Sequence, residues 1–324
     1  MQTIQNKSRF ILYFAQLALP LDKVGCVSEI KIKTSLFILY FAQLALPLQM
    51  MKNKASLSLD LGGHLLSLHT PVVMGILNAT PDSFFAESRV QDDHAATQRM
   101  HDMVAHGVAI LDIGGCSTRP GGTPVDEKEE MSRLRRFLPL VKRTCPDTPL
   151  SVDTFRPDVA RMCVEEYGVA MVNDVSGGSD DMFRMVARLR VPYVLMSTQP
   201  DVTTMLRTFA TQVDVLHDMG VADIVLDPGF GFGKTLDDNY RVLAHMERLH
   251  VMGLPLLVGV SRKSMIHRLL GVTPDEALHG TSIIHTLALM KGAHILRVHD
   301  VQPAVEAVRI VEHLTNMAKE EKTQ

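Results

Sequence analysis

Short apolar runs and longer amphipathic stretches alternate along most of the chain. From residue 71 onward, eight short apolar runs are typical of strands buried on both faces of a parallel sheet. They lie at 72–77, 109–113, 150–152, 170–172, 193–196, 223–226, 256–260 and 294–298. The stretches that follow them have helical periodicity and lie at 93–106, 126–143, 157–166, 180–190, 203–219, 236–250, 275–291 and 302–318.

This alternation indicates the fold class. Eight strand–helix units within about 250 residues predict an α/β protein with a (β/α)8 barrel, the TIM-barrel architecture. A doubly wound sheet is the alternative, but it rarely needs eight even repeats. No break in composition and no long linker follows residue 71. We therefore expect one barrel domain.

The first fifty residues do not follow this pattern. Ser8–Leu21 and Ser35–Leu48 form a direct repeat that differs at a single position. Two copies are too few for a solenoid, and each apolar run is shorter than the ~20 residues that span a bilayer. An ordinary amino terminus begins near Met51. We expect 1–50 to be an extension outside the fold and 51–324 to be the barrel domain.

Charge and cysteine content narrow the class of function. The chain has 33 Lys and Arg against 36 Asp and Glu, a net charge of −3, which argues against a nucleic-acid partner. The four cysteines are widely separated and form no CxxC pair. That spacing disfavours a disulfide framework and a structural zinc site. We expect reduced thiols, a cytoplasmic location and no membrane association.

Polar side chains follow directly after the apolar runs. They are Asn78, Asp153, Asn173, Asp227, Lys263 and His299. Each has an ordinary explanation when taken alone: Asp153 could cap a helix, Asp227 could stabilise a turn, and Lys263 could be solvated where a helix opens. Six together are better explained as the polar floor of one pocket, because ligands bind at the carboxyl ends of barrel strands.

One side of this pocket suits an anion. Arg297, His299, the amide of Asn78 and the glycine-rich loop around Arg119 could surround a phosphate or diphosphate. An amide oxygen also suits Mg²⁺, which keeps several waters and takes substrate phosphates as ligands. The other side, with Asp153, Asn173, Asp227 and Lys263, matches a flat heterocycle that carries N–H donors and a carbonyl.

Seven segments then resemble one family. They are GILNATPDSF (75–84), GGCSTRPGG (114–122), SVDTFRPDVA (151–160), VNDVSGG (172–178), LDPGFGFGKT (226–235), VGVSRKS (258–264) and RVHDV (297–301). In this order they are similar to the dihydropteroate synthases, and the resemblance runs from about residue 57 to the carboxyl terminus. It implies a homodimeric barrel enzyme, a transferase that joins 6-hydroxymethyl-7,8-dihydropterin diphosphate to p-aminobenzoate in folate synthesis, with release of diphosphate.

The resemblance also implies roles for individual residues. Asn78 would hold Mg²⁺ beside the diphosphate, which Arg297 and His299 would bind. Asp153, Asn173, Asp227 and Lys263 would bind the pterin, and Asp153, Lys263, Arg297 and His299 would act in catalysis. The aminobenzoate would lie against Thr118, Arg119, Pro120, Phe230 and Ser264. No covalent enzyme nucleophile is expected, since the neutral amine can attack the pterin methylene directly.

Two alternatives stay open, and the second of them rests on departures of the chain from the family pattern. Ser197-Thr198-Gln199-Pro200 replaces the common His-Met-Gln-Gly, and the first loop lacks the Asp-Gly-Gly that often follows Ser-Phe. One alternative is the pterin-binding barrel of methyltetrahydrofolate-dependent methyltransferases, which needs no diphosphate cradle. The other is a paralogue that binds pterin without turnover.

Overall fold

Eight parallel strands form the centre of the fold. The structure, a computed structural model, describes residues 57–79, 89–116 and 125–320. The parallel strands are β3 (Val72–Asn78), β4 (Ile110–Gly114), β5 (Leu150–Asp153), β6 (Met171–Asp174), β7 (Tyr193–Met196), β8 (Ile224–Asp227), β9 (Leu257–Val258) and β10 (Ile295–Val298). They are ordered β8-β7-β6-β5-β4-β3-β10-β9. A parallel bridge from Leu226 to Leu256 joins the two ends of the sheet, so the predicted barrel is confirmed.

Helices connect the strands on the outside. They are α1 (Arg89–Ala105), α2 (Glu127–Thr144), α3 (Pro157–Tyr167), α4 (Asp180–Leu189), α5 (Val202–Asp218), α6 (Leu236–His245), α7 (Ser264–Leu270), α8 (Leu278–Met290) and α9 (Val301–Glu320). Within these described residues, none is long and apolar enough to span a bilayer. The predicted extension at 1–50 lies outside the described residues, so its boundary stays a prediction.

Two details of the helices differ from the sequence prediction. The last third of the predicted helix 236–250 is a 3₁₀ helix, Met246–Met252, which ends at Gly253 in the left-handed conformation. The short helix α7 was not predicted. Its seven residues are fewer than two full helical periods, so apolar periodicity could not reveal it.

An antiparallel hairpin precedes the barrel and was also not predicted. Its strands are β1 (Ser58–Leu61) and β2 (His64–Ser67), and Gly62 and Gly63 take the positive φ angles of the turn. Leu59 and Leu61 are buried in a cluster with residues from the first half of the barrel strands. The hairpin therefore covers the amino-terminal end of the barrel.

The barrel interior changes from apolar to polar along the strands. Because successive strand residues face opposite sides, a residue two positions further on faces the same side. Met171, Val225 and Ile295 belong to the apolar cluster under the hairpin, as does Ile110. Two positions later come Asn173, Asp227, Arg297 and Asp112. The strand pattern thus places polar groups inside the barrel at its carboxyl end, where binding sites of this architecture lie.

Candidate active site

Strand register brings three of the predicted residues to one level. Asn78 pairs with Gly114 across β3 and β4, Gly114 pairs with Asp153 across β4 and β5, and Asp153 pairs with Asn173 across β5 and β6. Asn78 is exposed, whereas Asp153 and Asn173 are buried. The carboxyl ends of four neighbouring strands therefore form a continuous polar rim.

The guanidinium of Arg297, on β10, links this rim to Asp112. Its Nε donates to Asp112 Oδ2 at 2.6 Å, and its Nη2 donates to Asp153 Oδ2 at 2.5 Å. Asn173 Nδ2 donates to the same oxygen of Asp112 at 3.0 Å. One guanidinium thus holds two buried carboxylates and, through Asp112, the amide of Asn173.

Burial and pairing shift the pKa values of both Asp153 and Arg297. Burial raises the pKa of Asp153 to about 7, although the charge of Arg297 lowers it. Burial also lowers the pKa of Arg297, but the charges of Asp112 and Asp153 outweigh that effect and keep its pKa above the usual value. Arg297 therefore stays positive, while Asp153 titrates near neutral pH.

Asp112 is a site residue that the sequence did not indicate. It is fully buried and lies inside the apolar run Ala109–Ile113, not after its end. The search for polar residues at strand ends therefore passed over it. Its inward position, two residues after Ile110, is the signal that could have identified it.

Three buried oxygens in this network accept no hydrogen bond within the described part of the chain. They are Asp112 Oδ1, Asp153 Oδ1 and Asn173 Oδ1. Buried polar atoms are nearly always paired in folded proteins. Three adjacent acceptors without donors therefore suit a ligand that supplies several N–H groups.

Lys263 and Asp227 lie on the opposite side of the floor. Lys263 Nζ donates to the carbonyl of Phe230 at 2.5 Å and lies 4.6 Å from the centre of the Phe232 ring. Burial lowers the pKa of Lys263 to about 8, against the charge of Asp227, which raises it. Burial raises the pKa of Asp227, while Lys263 and the amide of Gly229 lower it. The charges of the two side chains therefore act on each other across this side of the floor.

Asp227 also stabilises the turn that follows β8, as its position in the sequence suggested. Its Oδ1 accepts a hydrogen bond from Gly229 N at 2.7 Å. The helix-cap explanation for Asp153 does not hold, since the residue that caps α3 is Arg156.

Lys234 joins two of the loops around this floor and was not predicted. Its Nζ donates to the carbonyls of Ser197 and Gly229, each at 2.9 Å. Gly229 has a φ of +66°, and a Cβ there would lie 2.1 Å from the oxygen of Ser197. Ser197 itself accepts from Gln199 N at 3.2 Å. The loop that departs from the family pattern is therefore held firmly against the loop after Asp227.

The remaining predicted residues have different surroundings. His299 lines a cavity of about 230 Å³ together with Arg99 and Gln302. Ser264 is partly buried at the first turn of α7. The Phe230 side chain is completely buried, so it could only support an aminobenzoate site from beneath. The loop residues Thr118, Arg119 and Pro120 lie outside the described residues, so their predicted role is untested.

The side chains at the rim of the barrel show whether the expected Mg²⁺ fits this site. Among the residues that the structure describes, no three His, Cys, Asp or Glu side chains are grouped as a metal site. Asn78 offers one exposed amide oxygen at the rim, 3.9 Å from where a Cβ on Gly114 would lie. A single protein oxygen fits Mg²⁺ that is held chiefly by water and substrate phosphates.

Comparison with known proteins decides the family. Residues 74–299 match the family model described as pterin binding enzyme. The dihydropteroate synthase of Escherichia coli K12 is 41% identical over 278 residues, which cover 80% of this chain and 97% of that protein. The chain belongs to the dihydropteroate synthase family. This confirms the family that the seven segments indicated.

Solved dihydropteroate synthases support the same conclusion. The Xanthomonas albilineans dihydropteroate synthase with 4-aminobenzoic acid superposes with a TM-score of 0.74 at 39% identity, covering 81% of this chain and 99% of that one. The structure of that enzyme with 7,8-dihydropteroate gives a TM-score of 0.71 at 37% identity, covering 80% and 99%. The segment that matches the pterin-binding family model includes the whole polar floor, from Asn78 to His299.

Proposed function

We propose that the chain condenses 6-hydroxymethyl-7,8-dihydropterin diphosphate with p-aminobenzoate to give 7,8-dihydropteroate and diphosphate. The observation that carries this proposal is the group of three unpaired acceptors around Arg297. A pterin presents several N–H donors on one flat edge, which is what such a group requires. The two relatives solved with 4-aminobenzoic acid and with 7,8-dihydropteroate support the substrate and product classes.

The polar floor binds the pterin in this proposal. Asp153 and Asn173 accept N–H groups of the heterocycle. Asp112 Oδ2 holds Asn173 directly and Asp153 through Arg297, and the unpaired Oδ1 of Asp112 can accept a further N–H group. Lys263 donates to the ring carbonyl or to a ring nitrogen, and Asp227 accepts from the opposite edge. Charge-assisted bonds of this kind are stronger than neutral ones and fix orientation.

The proposed reaction is dissociative: diphosphate leaves first, and the neutral amine then attacks. The bond between the pterin methylene carbon and the diphosphate oxygen breaks, and the amine nitrogen of p-aminobenzoate forms a bond to that carbon and loses a proton. Asp153 stabilises the positive charge that develops on the pterin methylene as diphosphate leaves. Arg297 and His299 bind the leaving diphosphate. This chemistry requires no covalent intermediate with the enzyme.

Mg²⁺ is part of the proposal at Asn78. When bound, it would supply positive charge to the diphosphate oxygens. The protein contributes the amide oxygen at the rim of the barrel. Its exposure is consistent with a metal that retains water and phosphate ligands.

The aminobenzoate site is assigned to the neighbouring loops. Thr118, Arg119 and Pro120 would form one wall. Ser264, at the start of α7 and next to Lys263 in sequence, would form the other, with Phe230 packed beneath it. In this proposal the amine of the second substrate would lie next to the pterin methylene.

A homodimer in the cytoplasm completes the proposal. Helices α8 and α9 each expose three large apolar side chains at the same spacing. These are Ile283, Leu287 and Met290 on α8, and Ile310, Leu314 and Met317 on α9. Apolar patches of this kind mark interaction surfaces, and a second copy of the chain would cover both helices.

The buried thiols Cys145 and Cys163 carry no disulfide, which supports a reducing compartment.

Release of diphosphate tests the proposed function. Purified protein is given the pterin diphosphate and Mg²⁺, with and without p-aminobenzoate, and both diphosphate and dihydropteroate are measured. The proposal requires both products to form in equal amounts when p-aminobenzoate is present. Pterin binding without turnover would instead identify the non-catalytic paralogue.

A further inference from the structure

One of the two cations that follow β9 has no role in the proposed reaction. Arg262 lies between Ser261 and Lys263, and its φ angle is +55°. This left-handed conformation is uncommon for a residue that carries a side chain. Residues held in it occur preferentially at functional sites, where the surrounding structure fixes them. Contacts with neighbouring elements must therefore hold Arg262 in place.

A contact with α8 holds the backbone of this turn. The amide of Arg262 donates to Oγ1 of Thr281 at 3.1 Å, and Thr281 is buried. On one side of the turn, Nζ of Lys263 donates to the carbonyl of Phe230. On the other side, the guanidinium of Arg262 donates to Asp300. The left-handed turn therefore directs two neighbouring cations to different groups.

The guanidinium of Arg262 joins the turn after β9 to the loop after β10. Its Nε and Nη2 donate to the two carboxylate oxygens of Asp300 at 2.8 Å and 2.9 Å, a two-bond fork that fixes both distance and orientation. Its Nη1 donates to the carbonyl of Asp275 at 2.9 Å. Burial raises the pKa of Asp300, but its hydrogen bonds with Arg262 outweigh that effect and lower the pKa below the usual value. The pair therefore stays charged.

A second hydrogen bond links the same two segments. Oγ of Ser261, a buried residue, accepts from the amide of His299 at 3.2 Å. Ser261 and Arg262 are neighbours in the chain, as are His299 and Asp300. The main-chain pairing of β9 with β10 ends at Val258. Side-chain bonds therefore continue the connection from there to the rim of the barrel.

These bonds lie between two groups of the proposed site. Lys263 is assigned to the pterin and His299 to the diphosphate, and one substrate molecule carries both moieties. We infer that Arg262 is a positioning residue for this substrate: its fork with Asp300 fixes the spacing between the pterin lysine and the diphosphate histidine. The inference rests on the proposed function, because both assignments belong to it. Arg262 acts through its neighbours, since all three nitrogens of its guanidinium have acceptors within the protein.

Ligands that fill one part or both parts of the site test this spacing. Arg262→Lys keeps the positive charge, but a single ammonium cannot reproduce the two-bond fork. We expect the KM for the pterin diphosphate to rise by about tenfold, because a ligand that joins two groups loses affinity when both cannot engage together. The KM for p-aminobenzoate, at saturating pterin diphosphate, should be nearly unchanged.

The separate halves of the substrate should behave differently from the whole. 6-Hydroxymethyl-7,8-dihydropterin without its diphosphate, and inorganic diphosphate with Mg²⁺, are each titrated into the wild type and Arg262→Lys by calorimetry. Each fills only one part of the site, so neither dissociation constant should change much. A merely structural weakening of the site would affect the halves as well as the whole.

Asp300→Asn tests the other side of the fork. It keeps the size of the side chain but removes its charge, and it should raise the same KM. Combining it with Arg262→Lys should raise the KM no further than the larger of the two single effects, because both substitutions remove one interaction. Asp300→Asn also serves as the second variant if Arg262→Lys does not fold.

Arg135→Lys is the matched control. Arg135 makes the same two-bond fork, with Glu166 at 3.2 Å and 2.9 Å, but it joins the outer helices α2 and α3. That substitution should change neither KM and neither dissociation constant. Thermal unfolding of every variant shows whether folding is affected.

The outcomes separate the two proposals. No dihydropteroate from the wild type would overturn the proposed function and this inference with it. Normal wild-type turnover, with an unchanged KM for the pterin diphosphate in both Arg262→Lys and Asp300→Asn, would overturn this inference alone. So would a loss of affinity for either half of the substrate as large as the rise in KM, which would indicate damage to one part of the site and not a change in spacing.

Discussion

Asp112 and Asp153 are joined by a single guanidinium, that of Arg297, whose Nε and Nη2 lie 2.6 Å and 2.5 Å from the two carboxylates. All three groups lie inside the barrel, and Asp112 is completely buried. One positive charge therefore serves two negative ones at a site that is largely shielded from water. The buried network therefore has more hydrogen-bond acceptors than donors, and a ligand rich in N–H donors would supply the missing hydrogen bonds.

Removing Arg297 should destabilise the fold strongly. In Arg297→Met, two carboxylates would remain buried without their partner, and breaking a buried pair in this way costs ~3–5 kcal/mol. Urea denaturation measures the free energy of unfolding directly. Arg135→Met is the control, because its pair with Glu166 is exposed to solvent and should contribute little to stability. Similar losses in both variants would contradict the role of Arg297 described above.

Asp153→Asn should weaken pterin binding and leave the fold intact. The substitution keeps the shape of the side chain but removes the charge that pairs with N–H groups, a loss of ~1.5–3 kcal/mol for a charge-assisted bond. Isothermal titration calorimetry with a pterin checks the value. Asp223→Asn is a control at the opposite end of the barrel, where Asp223 accepts from the amide of Asp60. Unchanged pterin affinity in Asp153→Asn would reject the assignment.

The sequence was most informative where polarity changes abruptly. Asp153, Asn173 and Asp227 each follow an apolar run, and the strand register then brought Asp153 and Asn173 side by side. The barrel followed from the same alternation. These features depend on local order along the chain, which a single sequence displays.

The residues that were missed depend on contacts between distant parts of the chain. Asp112 meets Arg297 across 185 positions, and Lys234 contacts Ser197 across 37. No periodicity along the chain records such pairs. The β1–β2 hairpin was missed for a different reason: its strands have only four residues each, and their alternation is too short to recognise. The complete burial of Phe230 likewise depends on the packed fold.

Turnover should have a bell-shaped pH dependence. Asp153 must be ionised to stabilise a developing positive charge, and burial raises its pKa to about 7, so kcat/KM should rise as pH increases through 7. Lys263 must be protonated to donate, and burial lowers its pKa to about 8, so kcat/KM should fall above pH 8. Such a profile reports the free enzyme.

Two lysine variants test which group causes the fall in kcat/KM above pH 8. Lys263→Arg should abolish this fall or move it to higher pH, because arginine keeps its charge throughout the range. Lys234→Arg is the control, since burial also lowers the pKa of Lys234 to about 8 but its amine donates to loop carbonyls. A fall that moves only in Lys234→Arg would show that Lys263 is not the titrating group.

Charged substitutions on the α8–α9 face should produce monomers. Leu287 and Leu314 are about half exposed on neighbouring helices, and a glutamate at either position would place a charge in the proposed dimer interface. Sedimentation velocity should show a dimer for the wild type and a monomer for Leu287→Glu and Leu314→Glu. Leu65→Glu, at an exposed position on β2, should remain dimeric. A monomeric wild-type protein would refute the homodimer.

The last prediction concerns the order of substrate binding. p-Aminobenzoate is small, so by itself it has little binding free energy with which to order a loop. Bound diphosphate with Mg²⁺ would attract the positive charge of Arg119. We therefore expect p-aminobenzoate to bind measurably only when pterin and diphosphate are present, with a positive coupling of ~1–3 kcal/mol.

Two calorimetric titrations test this coupling. p-Aminobenzoate is titrated into the apo-enzyme and into enzyme loaded with Mg²⁺, diphosphate and a pterin. Equal dissociation constants would show a preformed, independent site. Arg119→Ala should remove most of the difference between the titrations and leave pterin affinity nearly unchanged, because Arg119 is assigned to the wall and not to the floor. If that variant instead loses pterin affinity, the division of the site into floor and wall is wrong, since one side chain would then serve both substrates.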